Sequence, residues 1–192
     1  MCCMQNDVVR FLDSIGYPEA RDELKNVEIE KVLLHRKEEF FEVILKHDVV
    51  LPYEVSKQLV DCSKKGIHGK EKCIITFHYL AALESDVLDY VKSMLKESAE
   101  KKPSLVTVLE QDPRIDDDVI TVECINKTVE VETKKELRQI GKKLLQYGLG
   151  TYEFNTYLNE ELQKSVQEEI RSIREEQKEI EEKPKIVGNL IL

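Results

Sequence analysis

The chain has 192 residues, a formal net charge of -9, and 41% hydrophobic and 35% charged residues. The apolar share suffices for one medium core or two small ones, and the charged share exceeds the globular average of about 25%, as exposed helices require. A net acidic surface repels phosphate, so nucleic-acid binding needs a local basic patch.

The five cysteines, Cys2, Cys3, Cys62, Cys73 and Cys124, are odd in number and form no CxxC pair. Neither a disulfide framework nor a zinc site is expected, and scattered thiols fit a reducing cytoplasm. No apolar run approaches the roughly 20 residues of a membrane span, and no signal peptide is expected.

Val8, Phe11, Leu12 and Ile15 fall on one stripe at helical spacing and predict a short helix over 6–15. Gly16 ends it, and Pro18 suits the first position of a second short helix near 18–25. The period then changes. Val27 and Ile29 alternate with Glu28 and Glu30, and a run through Val32 to Leu34 follows. After a polar break at Arg36-Lys37, Phe41, Val43 and Leu45 share one face. Two such runs joined by a short polar break predict an antiparallel hairpin. Pro52 opens a helix lined by Val55, Leu59 and Cys62 and stopped by Gly66, and a strand follows over 72–80.

A helix with Ser85 as its cap carries Val87, Leu88, Val91, Met94 and Leu95 at helical spacing. Pro103 begins a helical turn through Leu109, and Pro113 with Asp116, Asp117 and Asp118 makes a loop. Val119 to Val122 is a strand. Thr128 to Thr133 reads equally as a strand or as the start of the helix that includes Leu137, Ile140 and Leu144. Gly148 and Gly150 close that helix, and Tyr152, Phe154 and Thr156 alternate in a final strand through Leu158.

Residues 159–183 hold nine carboxylates and five Lys or Arg, with no Gly or Pro. Leu162, Val166, Ile170, Ile173 and Ile180 form a thin apolar stripe. This is a helix of about 24 residues, on the order of 36 Å long, with a stripe narrower than a core helix requires. It reads as a solvated linker helix rather than a coiled coil. Pro184 stops it, and 184–192 reads as a linker to a further domain.

The fold class is thus α+β: two small two-layer modules followed by a charged helix, each module hiding its own apolar core. The first module, 1–81, has the order α-α-β-β-α-β; the second is 82–158, the acidic arm 159–183.

The chain contains no Gly-x-Ser-x-Gly elbow, no P-loop and no His-Glu-x-x-His. His35, His47, His68 and His78 show no metal-ligand spacing, and His78 in its strand reads as packing. Asp116 to Asp118 could bind a cation, but an acidic loop before a strand is the plainer reading. Gly66-Ile67-His68-Gly69 matches the pattern by which backbone amides clamp a nucleic-acid backbone, yet it falls between a helix and a strand and reads as a helix stop. The sharper candidate is the basic stripe Lys134, Lys135, Arg138, Lys142 and Lys143, opposite Leu137, Ile140 and Leu144. Such a stripe neutralises several phosphates, or is simply the solvated face of an amphipathic helix.

The order of these stretches resembles the N-terminal region of a PolC-type DNA polymerase III alpha subunit. The resemblance is carried by Val27 to Arg36, Leu51-Pro52-Tyr53-Glu54-Val55, Val119 to Val122, the Leu137 to Gly148 helix and the charged Glu160 to Glu182 arm. It implies two N-terminal modules ahead of an oligonucleotide-binding fold, a 3′–5′ exonuclease and the polymerase core, whose catalytic residues lie beyond this chain. The first module would be similar to the polymerase-binding domain of the clamp-loader subunit tau, the second KH-like, with Thr128 to Thr133 in the long helix. The expected role is non-catalytic docking of a replisome protein such as a clamp-loader subunit. No cofactor, metal or membrane contact is expected. The alternative is a single-strand nucleic-acid binder using the Lys134–Lys143 face.

Overall fold

The computed structural model describes residues 3–17, 24–159, 161, 164, 165, 167, 168 and 170–175. Helix α1 spans Cys3–Ser14 and buries Val8 and Leu12. Strands β1 (Glu28–His35) and β2 (Phe40–His47) form the expected antiparallel hairpin. Helix α2 (Tyr53–Ser63) buries Val55, Leu59 and Cys62 and carries the chain over the sheet to β3 (Lys72–Tyr79), which lies parallel to β2. The register pairs Phe41 with Cys73, Val43 with Ile75 and Leu45 with Phe77. Partners in register share a face, so one apolar face meets the helices. Most of the helix expected near 18–25 lies outside the described residues.

Strand β1 departs from simple alternation. A register shift between Ile29 and Lys31 adds a residue to the edge strand, as a bulge does. Val32 and Leu34 still pair with Val43 and Phe41, but at the sheet margin they stay 54% and 52% exposed.

The second unit repeats the plan. Helix α3 (Glu84–Lys101) is followed by a 3-10 turn at Pro103–Leu105 and the short helix α4 (Val106–Leu109). Strands β4 (Arg114–Asp116) and β5 (Val119–Cys124) pair antiparallel, helix α5 (Lys127–Gln146) crosses over, and β6 (Glu153–Leu158) lies parallel to β5. Both sheets therefore have three strands in sequential order, one antiparallel pairing and one parallel.

Two local expectations change and one open alternative is decided. Ser85 does not cap α3; the cap position is Leu83, whose N–H donates to the Asp86 carboxylate at 2.9 Å. The segment at Asp116 to Asp118 is not an open loop. Asp116 ends β4, and Asp117 and Asp118, with φ of 44° and 63°, form the two-residue turn into β5, the positive-φ pair such hairpins favour. The Thr128–Thr133 ambiguity resolves as helix. Asn126 caps α5, its Oδ1 accepting from Val129 N–H at 2.9 Å; Val129 is buried while Val131 is exposed, a divergence that helical but not strand spacing produces.

The expectation of two separate cores is also corrected: one continuous apolar cluster runs from Val8 to Leu149. Tyr53 of α2, Tyr90 of α3 and Tyr147 beyond α5 meet at centroid distances of 5.2 to 5.9 Å, and Tyr147 lies 6.0 Å from Phe77 of β3. The Tyr90 hydroxyl donates to Leu51 O at 2.7 Å and lies 2.8 Å from Ser56 Oγ. Tyr53 donates to Glu97 of α3 at 3.0 Å, and Lys57 pairs with the same carboxylate. The end of α5 covers edge strand β3: Gln146 Nε2 donates to Ile75 O at 3.3 Å. Gly148, at φ +69°, closes the helix, with Gly148 N–H donating to Leu145 O and Leu149 N–H to Leu144 O. This is the paired bonding of a left-handed helix end. A Cβ there would meet Phe77 O at 2.1 Å, so glycine is required both for its φ and for the close approach of the two units.

Candidate interaction surface

Helix α5 separates its charges by face. Its acids are engaged on the inner side and flank: Glu130 with Lys127, Lys134 and Thr156, Glu132 with Ser104, and Glu136 with Ser98 and Lys102. Glu130 is buried, and the hydrogen bonds from Lys127 and Lys134, each at 2.6 Å, hold its carboxyl down to about 2. The Lys102 ammonium similarly lowers Glu136.

Lys134 is thus committed to a structural ion pair. Lys135, Arg138, Lys142 and Lys143 stand exposed, and no salt bridge is recorded for any of them among the described residues. Leu137, Ile140 and Leu144 are buried opposite, as expected. The sequence reading overlooked Val131 and Leu145, which are 45% and 63% exposed on the same outer face. Their positions three residues before Lys134 and three after Lys142 were the available signal.

The remaining candidates do not form a site. Within Gly66-Ile67-His68-Gly69 the amides are spent internally: Gly66 N–H donates to Ser63 O, Ile67 to Glu71 O, His68 to Ser14 O and Gly69 to Gly66 O. A phosphate clamp needs those donors free, so the segment is the helix stop and turn the sequence favours. His35 contacts Glu42 and His78 contacts Glu30, each at 2.8 Å, while His47 Nδ1 bonds Val49 O. Among the described residues no three His, Cys, Asp or Glu gather as a metal site. Burial pushes the Cys73 thiol up to about 11. In the arm, Ile170 and Ile173 are exposed; Leu162, Val166, Ile180 and the 184–192 segment lie outside the described residues.

Two small α+β units, fused through a shared core and presenting a basic helix face, define a mixed α+β module. Residues 8–77, from α1 through most of β3, match the family model described as DNA polymerase III polC-type N-terminus I. That segment is similar to the N-terminal region of PolC-type DNA polymerase III, a family of DNA replication. The second unit and the arm lie outside the matched residues. No curated protein and no solved structure matches the chain. No described helix is long and apolar enough to cross a membrane.

Proposed function

We propose that this module is a non-catalytic protein-docking region of a cytoplasmic replicative polymerase, and that it engages a replisome protein such as a clamp-loader subunit. The observation that carries the reading is the outer face of α5, where exposed Val131 and Leu145 bracket Lys135, Arg138 and Lys142. A basic surface with apolar residues among its charges is complementary to an acidic protein surface. The first unit is read as similar to the polymerase-binding domain of tau and the second as KH-like in outline, without a glycine clamp. In the full polymerase, exonuclease and polymerase chemistry would belong to other domains.

The alternative, single-strand nucleic-acid binding through Lys134, Lys135, Arg138, Lys142 and Lys143, draws on the cations alone. Stacking aromatics, which strengthen such contacts, do not interleave with them. Titrating the chain against purified clamp-loader subunits and against oligo(dT) separates the two readings. Docking predicts a complex with a subunit at tens of micromolar or tighter. Absence of that complex removes the reading.

A further inference from the structure

We propose that the outer face of α5 receives an acidic amphipathic helix of a partner protein, with carboxylates flanking an apolar ridge. This rests on the docking reading above and names the chemistry of its partner. At about 100° per residue, Val131, Lys134, Lys135, Arg138, Lys142 and Leu145 occupy an arc of about 100°, and the stretch from first to last rises about 21 Å. Along the helix axis Val131 and Leu145 stand at the two ends and the basic residues between them. A scattered exposed leucine on a protein surface is ordinary. Here both exposed aliphatic residues of α5 bracket Lys135, Arg138 and Lys142, for which no salt bridge is seen among the described residues.

A phosphate backbone gives Val131 and Leu145 nothing to contact. A helix bearing leucines and glutamates satisfies the apolar ends and the basic centre together, with carboxylates three or four residues apart reaching successive cations. Charge directs the encounter. The chain carries -9 overall, so an acidic partner is repelled elsewhere and steered to this face. Two of the three acids of α5 do not oppose it, because Glu130 is paired with Lys127 and Lys134 and Glu136 with Lys102, while Glu132 is turned to the Ser104 hydroxyl.

The test uses the full 192-residue chain and fluorescence anisotropy. The probe is a labelled helical peptide of about 21 residues, repeating Leu-Glu-Glu-Leu-Ala-Glu-Glu and about 30 Å long. A second peptide has serine in place of leucine, and a third probe is oligo(dT). The leucine peptide is expected to bind most tightly. Arg138→Glu with Lys142→Glu should weaken it at least about tenfold. Leu145→Ser should weaken it about fivefold through lost apolar burial while leaving any oligo(dT) binding unchanged. Both variants lie at exposed positions, and an unchanged thermal midpoint establishes that they fold. Tighter binding of oligo(dT), equal binding of the serine peptide, or occupation of the face by the acidic arm of a second copy, seen as a dimer dispersed by the Arg138 and Lys142 reversals, overturns the proposal. If a clamp-loader subunit binds both variants as it binds the parent chain, this face is wrong while the docking reading stands.

Discussion

Replacing Gly148 by alanine tests the claim that the two units are joined by close backbone contact. Two costs add. Gly148 sits at φ +69°, where an L side chain costs about 1–2 kcal/mol. The new Cβ would also lie 2.1 Å from Phe77 O and 2.7 Å from Phe77 C. These are backbone atoms of a strand and cannot swing aside, so overpacking adds about 1–3 kcal/mol. The sum, about 2–5 kcal/mol, is a large part of a typical stability of about 5–15 kcal/mol, and at this chain length lowers the thermal midpoint by about 5–20 °C. Gly16 is the control: its φ is the same +69°, but a Cβ there meets nothing within 4 Å. Gly16→Ala should cost only the conformational term, about 1–2 kcal/mol. Any gain from restricting the unfolded chain is common to both variants and cancels. The assay is urea and thermal unfolding followed by circular dichroism. If Gly148→Ala is no more destabilised than Gly16→Ala, the tight junction is refuted.

Other outcomes follow from the same geometry. Tyr90→Phe removes the hydroxyl bonded to Leu51 O and Ser56 Oγ and should cost about 1–3 kcal/mol by leaving buried polar atoms unpaired; a change within 0.3 kcal/mol, about the resolution of such comparisons, would contradict that network. Glu130 is held below its ordinary value in the folded state, so its contribution is full above about pH 4.5 and is lost as pH falls toward about 2. Glu130→Gln should flatten the decline of the urea midpoint across that window, and an unchanged slope would show the ion pairs to be idle. Burial raises the thiols of Cys73 and Cys124, so a thiol reagent at pH 8 should label them only once urea unfolds the chain; prompt labelling of the native protein would count against the packed sheets.

Local periodicity made most of the elements legible. The alternation in Phe41, Val43, Leu45 and again in Cys73, Ile75, Phe77 requires only neighbouring residues to define a face, and both strands form with those faces turned inward, Phe41 half-buried at the start of β2 and the others buried. The α5 stripe of Leu137, Ile140 and Leu144 is equally local. Less was legible where a short element depends on its partner. β4 has three residues and too little pattern to register as a strand; its pairing with β5 defines it. The basic residues form a stripe legible in the sequence, but their separation into Lys134, bonded to Glu130, and the cations that no salt bridge engages among the described residues requires side-chain geometry.

The sequence by itself determined which residues turn inward, because hydrophobic burial acts on a pattern written along a few turns of chain. Only the tertiary structure decided that Tyr53, Tyr90, Tyr147 and Phe77 close on one another and merge two units into one core. Those side chains are separated by tens of residues, and nothing in any local stretch records that they meet. The outer face of α5 belongs to both levels. Its charges are set by the sequence, but which of them stay available is set by the acids and lysines that folding brings beside them.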